Sequence, residues 1–439
     1  MAPTTPLSVS ATLAANEALD ARRRRGERVL PLAFGEAGLP PHPRLRNALA
    51  EGAGRNDYGP VAGHASLREA AAGYWARRGL PTSPGEVVCG PGSKALLFGL
   101  LLGLGTDVAV ARPSWVSYAA QASLAGSRAV HVPAAAGQGG VPDPEALGRA
   151  VVAARAAGRR LGAVIVTLPD NPTGRLAGAD TVHGLCDVAR RHDLMIISDE
   201  IYRDLVHSPA DGGSAFLSPA AIAPDRTVIT TGLSKNLALG GWRIGVARLP
   251  GRLIRDRLLG ICSEIWSAPA GPVQEAAALA FGEPEDITER IARSRALHGC
   301  VARAVASRFA GAGAVVPAPQ AAFYVYPDFA PHRALLSRRY DVTTGAALAA
   351  LLLERYGIGV LPGSAFGEPV EELRLRVATS RLYGEAEWQQ ETALRSASPL
   401  ALPWISASLD WLEEALRDLG GVAQKAAPPN PPGPLRRSP

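Results

Sequence analysis

From about Glu86 to Val246 the chain alternates short apolar or β-branched runs with longer stretches of helical period. The runs predict strands at Glu86–Cys89, Val108–Ala111, Ala129–Val132, Ala163–Leu168, Leu194–Ser198, Thr227–Thr230 and Ile244–Ala247. Between them, Ser93–Leu104, Val116–Ala125, Pro144–Ala157 and Ala179–His192 carry a helical pattern. Strands alternating with helices imply βαβ units, hence an α/β fold with a mostly parallel sheet covered by helices on both faces. Upstream, one helix from about Ser10 to Arg25 leads into an extended segment, Val29 to Phe34, that ends at Gly35. Beyond about Arg252 helical patterns dominate to about Phe309. A smaller α/β region follows, built from Phe323–Tyr326, Gly345–Tyr356, Ile358–Leu361, Leu373–Ala378 and a last helix, Ser406–Leu419. The tail from Ala426, with its Pro-Pro-Asn-Pro-Pro-Gly-Pro run, is expected to remain a disordered end.

Composition narrows the classes. With 439 residues, 47% hydrophobic and 20% charged, the chain has globular proportions and a core large enough to need no disulfide or metal staple. No apolar run reaches the ~20 residues of a membrane span, and Met1 to Ser10 lacks the basic start and apolar segment of a secretory signal. The four cysteines, Cys89, Cys186, Cys262 and Cys300, are scattered. They read as buried thiols of a cytoplasmic protein and predict no metal site. The net charge of +6 could draw anionic ligands. Yet Arg22-Arg23-Arg24-Arg25 closes a helix, where cations suit the dipole, and no nucleic-acid partner is expected. Of 46 basic residues only Lys94, Lys235 and Lys425 are lysines. Chemistry that needs an amine nucleophile therefore has three candidates.

Ligands of an open α/β sheet gather beyond the carboxyl ends of its strands, and polar residues cluster there repeatedly. Gly90-Pro91-Gly92-Ser93 precedes a helix and suits an anion, although such a turn can be purely structural. Pro169-Asp170-Asn171-Pro172-Thr173-Gly174 follows the strand Ala163–Leu168 and is equally readable as a tight turn. Asp199-Glu200-Ile201-Tyr202 follows another, where a carboxylate can simply cap a helix. Ser234-Lys235-Asn236 comes next, with Arg243 eight residues on. In Leu373-Arg374-Leu375-Arg376 alternation points both arginines to one face.

Each cluster is bland alone. Together, Asn171-Pro172-Thr173-Gly174, Asp199-Glu200-Ile201-Tyr202, Ser234-Lys235-Asn236 and Gly241-Trp242-Arg243-Ile244-Gly245 resemble the class I/II aminotransferases, pyridoxal-phosphate enzymes of fold type I. The similarity continues in Ser10-Ala11-Thr12-Leu13, Tyr58-Gly59-Pro60 with Gly63, Leu67-Arg68-Glu69-Ala70, Pro113-Ser114-Trp115 and Ala322-Phe323-Tyr324-Val325. It spans roughly Ser10 to Ser380 and the final helix.

The resemblance implies that Lys235 forms the internal aldimine with pyridoxal 5'-phosphate. Asp199 would face the ring nitrogen, Asn171 and Tyr202 the ring hydroxyl oxygen, and Trp115 the ring face. Gly92 and Ser93, with the helix dipole and Arg243, would take the phosphate. Tyr58 would reach the phosphate of a partner subunit, which implies a homodimer with shared active sites. Arg374 would clamp the substrate carboxylate, with Gly35 beside it and Asn171 and Trp115 close by. The partners would be an amino acid and a 2-oxo acid. The implied organisation is 1–45, an arm and part of the small domain; 46–290, the large cofactor domain; 291–425, the small domain; and 426–439, the tail.

Three positions depart from the family pattern. Gly232 stands where many members carry a phosphate-binding serine. A lysine that in some aspartate-specific relatives occupies the place of Ser93 falls one residue later, at Lys94, and is expected to point elsewhere, against a dicarboxylate substrate. Arg381 to Pro403 reads as an insertion whose Tyr383, Trp388 and Trp404 either cover the site or, on our preferred reading, pack locally. Two rival functions share these motifs. One is another pyridoxal-phosphate reaction, such as elimination, replacement or cyclisation; the other is a non-catalytic binding module.

Overall fold

The computed structural model describes residues 10–207 and 216–420. Met1 to Val9, Lys425 and the tail from Ala426 lie outside the described residues.

Among the described residues seven strands make the central sheet: β1 (Val87–Gly90), β2 (Asp107–Arg112), β3 (Ala129–Pro133), β4 (Leu161–Thr167), β5 (Met195–Asp199), β6 (Thr227–Gly232) and β7 (Gly245–Arg248). Their spatial order is β1-β7-β6-β5-β4-β2-β3. Neighbours from β6 to β3 are parallel, and β7 runs antiparallel to both β6 and β1. Every strand lies within two residues of its expected bounds. The fold is α/β, with a mostly parallel sheet between helices.

The continuous apolar runs have a direct cause, which is that both faces of the sheet are covered. Val108, Val110, Ile165, Ile197 and Val228 bury against Leu96, Leu97 and Leu100 of helix Ser93–Leu104 and against helix Arg252–Ile265. The alternate residues Ala109, Val164, Val166 and Ile196 bury on the other face against helices Pro144–Ala156 and Ala179–His192. Burying Leu96, Leu97, Leu100 and Leu101 is worth roughly 1.5–3 kcal/mol each. The helix therefore holds its N-terminus, and the loop before it, firmly over the sheet.

A second, smaller body is built on the 27-residue helix Glu285–Gly311. It contains β8 (Tyr324–Val325), β9 (Leu361–Pro362) and β10 (Leu375–Ala378), an antiparallel sheet in the order β9-β10-β8. Helices Gly345–Tyr356 and Pro403–Leu419 complete its core. The chain's early segment joins this body, because Leu30–Pro31 pairs in parallel with Ile358–Gly359. That pairing fixes where Ala33 to Glu36 cross between the two bodies.

Helices Pro43–Glu51, Ala65–Ala76, Arg333–Tyr340 and Glu387–Arg395 are not foreshadowed by the apolar pattern. Ala65–Ala76 shows why. Its short alanines and Gly73 blur the periodicity, and it is fixed by packing on Gly271–Gly282. The segment 381–403 packs locally, as preferred. The Tyr383 hydroxyl lies 2.6 Å from His298 Nδ1, Trp404 Nε1 donates to the Tyr383 carbonyl at 2.8 Å, and Trp388 meets Trp404 edge-on at 5.4 Å. Among the described residues no helix is long and apolar enough to cross a membrane.

Candidate functional site

The carboxyl ends of β4, β5 and β6 open into a cavity of about 550 Å³. Gly35, Ser93, Trp115, Asn171, Asp199, Tyr202, Lys235 and Arg243 all line it. Segments far apart in sequence thus meet at one place, the strand ends where an open sheet collects its ligands.

Asp199 is the last residue of β5 and is 3% exposed. Its register partner on β4 is Thr167, so both side chains emerge on the same side of the sheet. Tyr118, from helix Ser117–Leu124, donates to Asp199 Oδ2 at 2.9 Å and lies 2.8 Å from Thr167 Oγ1. Burial pushes the Asp199 carboxyl up to about 6, against the pull of the Tyr118 bond and of Lys235.

Lys235 follows β6. Burial draws its amine down to about 8; Glu36 opposes this, while Arg376 and Arg243 add to it. Its Nζ donates to the Gly35 carbonyl at 2.5 Å. The crossing segment is anchored again by Arg376 Nη2 on the Ala33 carbonyl and by Ser380 Oγ on the Glu36 carbonyl.

An anion cradle forms one wall. Gly92 caps helix Ser93–Leu104 at φ +86°, and a Cβ there would stand 2.5 Å from Arg243 Nη2. Only glycine allows both the turn and the close approach. Arg243, itself at φ 54°, is held by the carbonyls of Gly240 at 2.8 Å and Pro91 at 3.3 Å. The free N–H groups of the helix start and this guanidinium face one spot, which suits a phosphate or carboxylate. Gly232 has a steric cause here: a Cβ would come within 2.8 Å of the Ile244 carbonyl. A serine does not fit, so the cradle rests on Ser93, Arg243 and backbone.

Asn171 sits in a loop tied by Asp170, whose Oδ2 accepts from Thr173 Oγ1 at 2.5 Å and from its backbone N–H at 3.3 Å. Burial pushes the Asp170 carboxyl up to about 7, partly offset by these bonds. Tyr202 shares a 2.7 Å hydrogen bond with the Tyr324 hydroxyl.

Two expectations are corrected. Arg374 does not line this cavity. It is held by Asp328 at 3.0 Å, Glu368 at 2.9 Å and Glu372 at 3.7 Å, beside a separate cavity of about 470 Å³. Arg376 lines the main cavity instead, 1% exposed, with its guanidinium 3.4 Å from Asn171 Oδ1 and between the rings of Tyr324 and Phe366. Two residues along a strand is ~6.6 Å, enough to change cavities without changing face. Lys94, expected to point elsewhere, also lines the main cavity, its Nζ 5.2 Å over the Trp115 ring.

Tyr58 is 92% exposed and does not line the cavity of its own chain. Tyr118, Tyr324, Glu36 and Arg376 were missed as site residues. Tyr118 had a signal in its place one turn after Trp115, and Tyr324 stood within the quoted Ala322-Phe323-Tyr324-Val325. Among the described residues there is no group of three or more His, Cys, Asp and Glu side chains able to hold a metal.

The family model described as aminotransferase class I and II matches residues 27–382. A probable aspartate/prephenate aminotransferase of Thermus aquaticus is 32% identical over 376 residues, covering 84% of this chain and 92% of that protein. An aspartate aminotransferase of Geobacillus stearothermophilus is 33% identical over 383 residues, covering 85% and 93%. Among solved structures, the aspartate aminotransferase from Thermus thermophilus with maleate superposes with a TM-score of 0.78 at 27% identity. That match covers 93% of this chain and 97% of the other.

Proposed function

The chain belongs to the class I and II aminotransferase family, and from that premise we propose that its cavity binds pyridoxal 5'-phosphate at Lys235 and moves the amino group of an L-amino acid to a 2-oxo acid. One observation carries the reading. A buried carboxylate, Asp199, with no cationic hydrogen-bond partner among the described residues, shares a cavity with an amine that burial holds near neutrality.

The residues fit the cofactor. The cradle of Gly92, Ser93 and Arg243 suits its phosphate, and Trp115 offers a ring face. Asn171 and Tyr202 offer hydrogen bonds to its ring hydroxyl, and Asp199 an anion to its ring nitrogen. Bound there, pyridoxal phosphate supplies an aldehyde that condenses reversibly with amines and a protonated ring that accepts electrons from a bond broken at Cα.

The chain's own groups do the rest. Lys235, with its amine near 8, can exist as a free base at working pH and carry a proton to and from Cα. Arg376, buried and without a carboxylate partner among the described residues, takes the substrate α-carboxylate through its planar fork. The Ala33 and Gly35 carbonyls now bonded to Arg376 and Lys235 keep the two cations satisfied beforehand. Tyr58, fully outward on one subunit, completes the phosphate site of its partner in a homodimer. Free cysteines suit a cytoplasmic setting.

The donor is an acidic amino acid. The relatives quoted above are named for aspartate. Lys94, exposed at the cavity rim beside Trp115 with no carboxylate partner among the described residues, supplies a second cation for a distal carboxylate. The test is a donor screen on the loaded protein, followed by visible absorbance. Aspartate or glutamate should convert the cofactor to its amine form, and adding a 2-oxo acid should restore it. Turnover of an amino acid with no dependence on an oxo acid would point to elimination and end the transaminase reading.

A further inference from the structure

Asp199 does not stand alone at the end of β5. Its Oδ2 accepts the Tyr118 hydroxyl at 2.9 Å, and that hydroxyl lies 2.8 Å from Thr167 Oγ1. All three side chains are buried, at 3%, 1% and 3% exposure. We propose that Tyr118 is a positioning residue: with Thr167 behind it, it forms a file of hydroxyl groups that donates to Asp199 and keeps that carboxylate ionised and fixed in direction.

Hydrogen counting supplies the argument. An ionised carboxylate only accepts, so the single Tyr118 hydrogen goes to Asp199. Thr167 then keeps its bond by donating to the Tyr118 oxygen, and every hydroxyl hydrogen is used. Were Asp199 protonated and donating, Tyr118 would turn to Thr167, whose own hydrogen would need another acceptor. Among the described residues Thr167 Oγ1 has no hydrogen-bond partner but Tyr118. A buried hydroxyl hydrogen with nothing to bond is costly, and a proton placed on Oδ1 instead would leave Tyr118 donating to a neutral acceptor, a weaker bond than one to a carboxylate, so the file favours the charged state of Asp199.

Geometry fixes the direction as well. Thr167 and Asp199 are register partners on parallel strands, so the two ends of the file are set by the sheet. The middle is set by helix Ser117–Leu124, with Tyr118 at its first turn. The other charged groups facing this point are few. Lys235 after β6 favours the ionised carboxylate, and Glu200, the residue after β5, opposes it. Glu200 is itself engaged by Ser198 at 3.1 Å and by Arg203 at 2.9 Å, and Asp170 acts on Tyr118 from the neighbouring loop.

The inference rests on the reading of Asp199 as the anion of the cofactor site, but the charge on Asp199 can be measured without the cofactor. Full-length protein labelled with ¹³C-aspartate and stripped of pyridoxal phosphate is titrated by NMR, with the Asp199 carboxyl signal assigned by its loss in Asp199→Asn. Tyr118→Phe should raise the Asp199 midpoint by about one unit or more, a tenfold change in proton affinity. Thr167→Val should raise it by less, and Thr167→Ser should restore the wild-type value. In loaded protein the visible absorbance should show the same order in its pH profile. If Tyr118→Phe does not fold, the Thr167→Val and Thr167→Ser pair decides alone. Midpoints that coincide with wild type, or fall, in Tyr118→Phe and Thr167→Val overturn the proposal. A failed donor screen alongside raised midpoints would count against the proposed reaction and leave the file standing.

Discussion

Arg374 and Arg376 lie two residues apart on one extended run, yet among the described residues Arg374 is held by three carboxylates and Arg376 by none. Replacing them should therefore have opposite signatures. Arg376→Ala should lower kcat/KM for the amino donor by roughly 10–100-fold, the range of a lost charge-assisted hydrogen-bonded contact, with cofactor affinity little changed. Arg374→Ala should leave the kinetics near wild type and cost about 1–3 kcal/mol of stability, because Glu368 is buried and would lose its cation. Steady-state kinetics and urea unfolding read the two effects. Equal kinetic losses in both variants would remove Arg376 from the carboxylate role.

Lys235 sets a pH limb. Its amine is held down to about 8 by burial in the first place, so the neutral fraction should saturate near pH 9. An ordinary lysine would still be gaining free base at pH 10. The rate at which stripped protein takes up pyridoxal phosphate, followed by absorbance, should rise about tenfold per unit below pH 8 and then level. Lys235→Ala should yield no borohydride-trapped adduct. Trapping at Lys94 in that variant would show that the amine had been assigned to the wrong lysine.

The sheet was legible because two covered faces force continuous apolar runs, and the meeting of Asp199, Lys235 and Arg243 at one cavity was legible only from their motifs taken together, because each alone has an ordinary use as a cap, a solvated lysine or a turn residue. Arg374 was misread for a physical reason. Period-two alternation states which face a residue shares and says nothing of which cavity lies at its height along the strand. Lys94 and Tyr118 were underweighted because a helix's facing depends on what it packs against, here the sheet end and Trp115. Gly232 looked like a missing ligand; in three dimensions it is a contact with the Ile244 carbonyl that leaves no room for a side chain.

Lys94 should act on substrate choice more than on chemistry. Its exposed ammonium over the Trp115 ring meets no carboxylate among the described residues, so a distal carboxylate on the substrate would be its natural counterion. Lys94→Met should raise KM for aspartate and glutamate about tenfold, corresponding to about 1.4 kcal/mol, while alanine or phenylalanine turnover stays within about twofold, allowing for screening. A uniform loss across acidic and neutral donors would instead tie Lys94 to the phosphate cradle beside it.

Asp199 should cost the empty protein stability at neutral pH. Burial raises its carboxyl from 3.8 to about 6 in the folded chain. Between those values the folded state therefore binds more protons than the unfolded state, and stability falls as pH rises through that window. Above pH 6 the full difference persists, of order 3 kcal/mol at 1.36 kcal/mol per unit. Asp199→Asn removes the charge and keeps a carbonyl oxygen for the Tyr118 hydroxyl. The stripped variant should melt at a higher temperature than stripped wild type at pH 8, and the gap should narrow by pH 5. Loading with pyridoxal phosphate should reverse the order, because the cofactor's ring cation then has a partner only in wild type. A gap independent of pH would mean that Asp199 binds protons equally in the folded and unfolded chains, so that burial does not raise its carboxyl, and the electrostatic role given to it would fail with that result.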